Sequence, residues 1–546
     1  MNFKVAYFSA EIGLSENIPT YCGGLGVLAG DHVKAAADME VPLCAITLLY
    51  KEGYIKQQID EDGNQRGIFP DFDPEPMLEK LPNKISIEIE ARQVWIQIWK
   101  FTQKGETGFE VPVYFLDTDI EQYKNEDREI THRLYGGDND MRLLQEAILG
   151  FGGMELLKEL GVQNSIEVFH LNEGHCAFLT LDLLKKYNRN VSEVRKRCVF
   201  TTHTPVPAGH DRFELNRCRF FLGNQIPQDG ILNKIAEYGV LNMSKLGLFL
   251  SRNANGVSRL HGQVAQKQFP NYKIGYITNG VYHPSWLGNE FQNLYNDKFP
   301  EWKKKPETVL NIDQISDEEI LNTHKRQKSH LLNYVNAFTR KGLTEDVLTI
   351  GFARRMAGYK RAKLIFNNLD KLIQSVGGKI QIIYSGKAHP NDEIGKRLIR
   401  EIVQISKIKP GNIKIAFVEN YNIWLGKLLT SGVDIWLNTP LRPNEACGTS
   451  GMKAALNGVL NLSIRDGWWD EGCKNGINGW AFGDPENPND VLDAEDLYRI
   501  LQNEVIPLFY DDKTKWVKMM REAIKTSVDF TAKRMMKDYL DKVYKI

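Results

Sequence analysis

No run of apolar residues in this 546-residue chain approaches the roughly 18 needed to span a bilayer. That argues against a helical membrane protein. Nor does one sign of charge dominate: Lys+Arg and Asp+Glu both total 69, so the formal net charge is zero. A nucleic-acid or membrane-surface partner would leave a basic excess, and neither is expected. An anionic substrate needs only a local cluster of cations and stays open. Cysteine is scarce, with seven residues at 22, 44, 176, 198, 218, 447 and 473, and no C-x-x-C pair. These suit a reducing cytoplasm rather than a disulfide framework. His170, His175 and Cys176 lie close together, but no second cluster of thiols or imidazoles completes a zinc set, so no metal is expected. The N-terminus lacks the cationic start and long apolar stretch of a signal peptide. It reads as a first strand, and the expected location is cytoplasmic.

What is present is an ordinary globular composition, 42% hydrophobic and 25% charged. It is arranged as short apolar strands, loops and amphipathic helices. This rhythm predicts α/β architecture with parallel sheets covered by helices. Strands are expected at Val5–Ser9, Leu43–Leu49, Val168–Leu171 and Cys198–Thr202 in the first half. In the second they are expected at Val347–Ala353, Ile380–Ser385, Ile413–Val418, Val433–Leu437 and Val459–Ser463. Residues 288 to about 345 turn polar and lysine-rich, with a capping box at Ser316-Asp-Glu-Glu319. The expected division is therefore residues 1–287 and 288–546, two doubly wound Rossmann-like domains facing a central cleft. The chain ends in a helical run, with Met535, Met536, Tyr539, Leu540 and Val543 on one face, that can pack on either domain.

Three loops carry candidate chemistry. Tyr21-Cys-Gly-Gly-Leu-Gly-Val-Leu-Ala-Gly30 runs into a helix. Gly24, Gly26 and Ala29 fit a dinucleotide-type pattern only weakly, because the loop begins more than ten residues after its strand. Its glycines read either as a tight turn with close helix packing or as an anion site at a helix start. Gly351-Phe-Ala-Arg-Arg-Met-Ala-Gly-Tyr-Lys-Arg361 places Arg354, Arg355, Lys360 and Arg361 at the carboxyl end of a strand. This architecture binds ligands there, though such a run is also what a solvated face looks like. The third loop is Pro440-Leu-Arg-Pro-Asn-Glu-Ala-Cys-Gly-Thr-Ser-Gly-Met-Lys453. It leads small residues and hydroxyls into a helix whose first turns hold a lysine. Cations are disfavoured at a helix start, so Lys453 either bends to solvent or serves a cofactor that Thr449 and Ser450 help to hold.

Glu445-Ala-Cys-Gly-Thr-Ser-Gly-Met-Lys453 resembles the pyridoxal-phosphate segment of the α-glucan phosphorylase family, the glycogen and maltodextrin phosphorylases. Arg354-Arg355 with Tyr359-Lys360-Arg361 resembles that family's phosphate-recognition loop, and Gly23-Gly24-Leu25-Gly26 its glycine loop. Ile277-Thr-Asn-Gly280, Gly386-Lys-Ala-His-Pro390 and Val418-Glu-Asn-Tyr421 fall in family order, so the resemblance runs from about residue 5 to about 470. It implies a glycosyltransferase fold of the two-domain GT-B type. The implied activity is a pyridoxal 5'-phosphate-dependent transfer of the non-reducing-end glucose of glycogen, starch or maltodextrin to inorganic phosphate. The product would be α-glucose 1-phosphate with retained configuration. A homo-oligomer is compatible with it.

The resemblance also implies site residues. Lys453 would carry the cofactor, Thr449 and Ser450 would hold its phosphate, and Arg354 and Tyr421 would line its pocket. Arg355 and Lys360, with the Gly24 amide, would bind the substrate phosphate. Asn279, Glu445, Cys447 and Gly448 would grip the glucose hydroxyls. His203 would stand beside the anomeric carbon through its backbone carbonyl, its imidazole being a satisfied core group. Some positions depart from the family pattern. Arg354 replaces a lysine, Cys447 a serine, and Ala357-Gly358 a His-Glu pair. The chain opens almost at its first strand, so activity without a nucleotide activator or phosphorylation is expected. A nucleotide-sugar glucan synthase of the same fold is the main rival, and it would carry an acidic residue where Lys453 stands. A non-catalytic glucan-binding relative would need neither the cation loop nor that lysine. A dehydrogenase rests on the weak glycine match alone.

Overall fold

The computed structural model describes residues 2–228 and 230–546. Apolar strands that are buried on both faces, separated by helical stretches, build two parallel-sheet units. Residues up to Tyr54, Phe69–Thr278 and Ala532–Ile546 form the first unit, and Ile55–Ile68 with Asn279–Thr531 form the second. The division falls at 278/279 rather than 287/288. The reason is local: Val281 N donates to Phe530 O at 2.9 Å, which commits the chain after Thr278 to the second unit.

The first unit has a nine-stranded sheet. In chain order its strands are β1 (Val5–Ser9), β2 (Leu43–Leu48), β3 (Glu79–Ile89), β4 (Arg92–Lys104), β5 (Glu110–Asp117), β6 (Val168–Asn172), β7 (Cys198–Thr201), β8 (Asn253–Gly256) and β9 (Ile274–Tyr276). Their spatial order is β9-β8-β7-β6-β1-β2-β5-β4-β3. Pairing is parallel from β9 to β5, and β4 and β3 add an antiparallel edge. The strand order reverses between β1 and β6, the crevice where such sheets bind ligands beyond the carboxyl ends of the strands. The C-terminal helix Ala532–Asp538 and the turn after it belong to this unit.

The second unit has a six-stranded sheet, all parallel: β10 (Leu348–Ala353), β11 (Ile380–Ser385), β12 (Lys414–Val418), β13 (Ile435–Asn438), β14 (Leu460–Ile464) and β15 (Gly479–Phe482). Their order is β12-β11-β10-β13-β14-β15, so the reversal lies between β10 and β13. The helix Asp317–Thr339 starts at Ser316, whose hydroxyl accepts from Glu319 N at 3.2 Å, as the capping box predicts. A small ribbon, Lys56–Ile59 with Gln65–Ile68, docks on the ends of β11 and β12. Gln57 Nε2 donates to Gly386 O at 2.9 Å, and Ile59 N donates to the Glu419 carboxylate at 2.7 Å. Among the described residues no helix is long and apolar enough to cross a membrane.

Candidate active site

In the second unit, the cation loop follows β10 and the Glu445–Lys453 loop follows β13, so both emerge at the strand-order reversal. Arg354 and Lys360 are buried there and converge on one carboxylate oxygen. Glu445 Oε2 accepts from Arg354 Nη2 at 2.7 Å and from Lys360 Nζ at 2.5 Å. Burial alone would raise the Glu445 carboxyl; the two cations outweigh it and hold Glu445 at about 2. Arg354 Nε and Nη1 are buried and make no hydrogen bond among the described residues. A desolvated guanidinium with two unused donors favours an anion at that point. Arg355 is exposed. Arg361, though part of the same run, is structural: it donates to the Thr439 and Pro440 carbonyls at 2.9 Å and pairs with Asp493 at 2.7 Å. The loop is pinned against β11 as well. A Cβ on Gly386 would lie 2.0 Å from Arg354 O, so only glycine permits that approach.

The helix Thr449–Leu456 opens at Gly448, which sits at φ +82, with no side-chain cap and no acidic residue in its first turn. Its amide end is thus left for an anion. Lys453 is the fifth residue of that helix, past its first turn, so the dipole penalty expected from sequence is weak. Burial sets it apart instead. Lys453 is 6% exposed, and its Nζ lies 3.4 Å from the Trp286 ring centroid. Asn457 Nδ2 ties the two together, donating to Lys453 O at 2.8 Å and Trp286 O at 3.0 Å. Tyr421 is near enough to feel the Arg354 charge, although burial dominates and pushes its hydroxyl up to about 12. Ser450 Oγ accepts from Trp436 Nε1 at 3.2 Å. Cys447 and Asn279 are both buried.

Gly24 and His203 belong to the first unit. The glycine loop is held by Glu11, whose carboxylate accepts from Cys22 N at 2.6 Å, Gly23 N at 3.4 Å and Tyr135 OH at 2.7 Å. The two readings of the glycines separate by position. A Cβ on Gly26 would meet Glu11 at 2.6 Å, and one on Gly30 would meet Gly13 O at 1.9 Å, so these two serve packing. A Cβ on Gly24 would meet nothing within 4 Å. Gly24 opens the helix Gly24–Asp38, which has no side-chain cap and no acid in its first turn. His203 follows β7. Its Nε2 bonds Asn172 Oδ1 at 2.7 Å, its N donates to Glu173 at 2.6 Å, and burial lowers its imidazole to about 4. The ring is thus neutral at ordinary pH, with Nε2 held by Asn172.

Some contributors were not read from sequence. Glu173 carries the loop from Thr202 to Thr204 at an unusual φ of +83, and its only sequence signal is its place after a buried strand. Trp286 is an isolated aromatic with no motif spacing. Asp466 Oδ2 accepts from Glu445 N at 3.0 Å, and it too lies in a loop after a strand. His170 and Cys176 do not share a metal set. His170 bonds Tyr544 and Thr201, and Cys176 donates to Phe8 O. Glu146, His175 and Asp211 do bring ligand atoms within 4.8 Å of one another. The Arg142 guanidinium stands 3.6 Å from Glu146 and 3.2 Å from Asp211, so this cluster is an ion-pair network.

Two loops emerge together at this strand-order reversal, one cationic and one carrying a buried lysine, on a glycosyltransferase-type fold. The carbohydrate phosphorylase family model matches residues 224–469, and that of the starch synthase catalytic domain matches residues 4–275. Maltodextrin phosphorylase of Thermococcus litoralis is 40% identical, across 99% of this chain and 70% of that protein. Glycogen phosphorylase of Aquifex aeolicus is 38% identical, across 99% and 86%. An uncharacterized protein of Methanocaldococcus jannaschii is 31% identical over 99% of both chains. The chain belongs to the glycogen and maltodextrin phosphorylase family.

Proposed function

We infer that the protein is an α-1,4-glucan phosphorylase that moves the terminal glucose of an α-glucan onto inorganic phosphate, releasing α-glucose 1-phosphate. The observation that carries this reading is the burial of Lys453, its Nζ over the Trp286 ring, in a helix whose start bears no acid. A buried lysine over an indole ring, a helix start without acids, and an Arg354 with two unused buried donors fit a planar aldehyde cofactor bearing a phosphate. Pyridoxal 5'-phosphate has that chemistry, and we assign it to Lys453, with Thr449, Ser450, Arg354 and Tyr421 around it. When bound, it supplies a phosphate group able to exchange a proton with the substrate phosphate. Arg355 and Lys360 then hold the substrate dianion, where fixed cations in a desolvated site stabilise developing charge. In the first unit, the Gly24 amide is assigned a substrate-phosphate contact on the family resemblance of its glycine loop. Glu445 accepts a glucose hydroxyl, assisted by Asn279, Cys447 and Gly448, and the His203 carbonyl serves the sugar ring. The cysteines form no disulfide among the described residues, in keeping with a cytoplasmic enzyme.

The test is maltodextrin incubated with and without phosphate. Glucose 1-phosphate should appear only with phosphate, and the reaction should run backwards from it. Steady glucose release in water alone, or a need for a nucleotide sugar, would contradict the reading.

A further inference from the structure

Two tyrosines of the C-terminal segment make a buried hydroxyl network with the elements that carry Gly24 and His203. Tyr544 OH lies 2.9 Å from His32 Nε2 and 2.7 Å from His170 Nδ1. His170 Nε2 lies 2.9 Å from Thr201 Oγ1, and Thr201 donates to Asn255 Oδ1 at 3.1 Å. Tyr539 OH closes the set, 3.0 Å from Thr201 Oγ1 and 3.2 Å from Asn255 Nδ2. All these side chains are at most 4% exposed, and His32 stacks on Tyr7 at 4.5 Å.

The donors available fix one direction through this chain. Thr201 spends its proton on Asn255, so it accepts from His170 Nε2–H. His170 Nδ1 is then an acceptor and takes the Tyr544 proton. Tyr544 oxygen in turn accepts from His32 Nε2–H. Both imidazoles must be neutral for this, and burial pushes both well below the ordinary histidine range. Removing the Tyr544 hydroxyl takes the partner from both His32 Nε2 and His170 Nδ1. Without the Tyr539 hydroxyl, by contrast, Thr201 keeps His170 and Asn255, and Asn255 Nδ2 keeps Gly256 O at 3.1 Å.

Position gives the network its consequence. His170 stands two residues before Asn172, on the same face of β6, because side chains alternate along a strand. Two side-chain bonds therefore run diagonally from β6: His170 to Thr201 at the end of β7, and Asn172 to His203 in the loop just beyond it. The second continues through Asn172 Nδ2 to Ser9 Oγ at 3.0 Å, and from Ser9 to Glu11 O at 2.7 Å. His32 lies two turns along the helix that Gly24 opens. Arg252 pins the segment's backbone, donating to Val543 O at 3.1 Å and Tyr544 O at 2.9 Å.

We propose that Tyr544 and Tyr539 are positioning residues for phosphorolysis, Tyr544 holding the glycine-loop helix through His32 and Tyr539 holding, through Thr201, the end of β7 from which the His203 loop departs. This rests on the reading of Gly24 and His203 as phosphate and glucose contacts. The two tyrosines then have separable effects. Tyr544→Phe should raise KM for phosphate about tenfold, and Tyr539→Phe should raise KM for glucan with a smaller effect on phosphate. Lost folding would lower only the active fraction, and so the apparent kcat, leaving both KM values alone. His32→Phe keeps the stack on Tyr7 but removes the donor, and it should reproduce the phosphate effect if Tyr544→Phe folds poorly.

The experiment is steady-state phosphorolysis by these three variants and by Gly24→Pro, each assayed well below its melting temperature. A raised phosphate KM in Tyr544→Phe or His32→Phe supports the proposal. Unchanged KM values in both, with Gly24→Pro raising it, overturn the positioning role while leaving the glycine-loop reading intact. Unchanged values in all of them overturn that reading, and the positioning role with it.

Discussion

Lys453 Nζ stands 3.4 Å from the centroid of the Trp286 ring, and one amide, Asn457 Nδ2, bonds the backbone carbonyls of both residues. The lysine and the ring are thus held as a unit. Borohydride reduction of the protein made with ample pyridoxal 5'-phosphate should fix the cofactor on the peptide containing Lys453. Lys453→Ala should lose the cofactor absorbance and nearly all phosphorolysis. Label on another lysine, found by peptide mass mapping, would refute the assignment.

Arg355 is the exposed cation of the loop whose Arg354 and Lys360 are buried against Glu445. Its exposed position at the carboxyl end of β10, where such sheets bind ligands, supports its assignment to the substrate dianion. Arg355→Ala should lower kcat/KM for phosphate on the order of a hundredfold, about 3 kcal/mol, the scale of one preorganised contact to a developing charge. Arg355→Lys should recover part of it, because an ammonium cannot reproduce the guanidinium fork. Near-normal kinetics in Arg355→Ala would show a solvated surface loop.

Gly24 is the first residue of its helix, where proline is tolerated and its missing N–H costs the helix nothing. A Cβ there would meet nothing within 4 Å. Gly24→Pro should therefore keep the melting temperature within a few degrees while raising KM for phosphate about tenfold or more. An unchanged KM would remove the Gly24 amide from the phosphate site.

Glu445 links the site to stability against pH. Burial would raise its carboxyl, but Arg354 and Lys360 hold it at about 2, against an ordinary 4.5. The folded chain binds this proton more weakly than the unfolded chain. The pair's contribution is present above about pH 4.5 and is lost as pH falls towards 2. It corresponds to roughly 3 kcal/mol. Glu445→Gln should lower the urea midpoint at pH 7, with a deficit that narrows at pH 3. An equal deficit at both pH values would contradict the assignment.

The parallel strands were legible because each is a buried apolar run ending in a polar or glycine segment; β10 and β11 match the expected spans to within one residue. The antiparallel edge was not. β3 is largely exposed and rich in Lys and Glu, so it lacks the apolar signature of its neighbours. The face of the C-terminal helix was readable, with Met535, Met536, Tyr539 and Val543 all buried. Periodicity names a face and not its partner, so its docking in the first unit had to come from the structure. The cation loop and the Lys453 loop were legible as motifs. What sequence could not show is the division of labour within them: Arg361 is spent on Asp493 and two carbonyls, while Arg354 keeps donors in reserve. Trp286, Glu173 and Asp466 depend on contacts between residues far apart in the chain, which no spacing encodes.

The most direct test of phosphorolysis follows the phosphate oxygens. Maltodextrin is incubated with the enzyme and phosphate carrying four heavy oxygen atoms, and the product is weighed by mass spectrometry. If a phosphate oxygen attacks the anomeric carbon, α-glucose 1-phosphate should retain all four labels, and no free glucose should accumulate. Glucose 1-phosphate with three labels, or labelled phosphate left untouched beside free glucose, would mean that the glycosidic bond is not broken by phosphate.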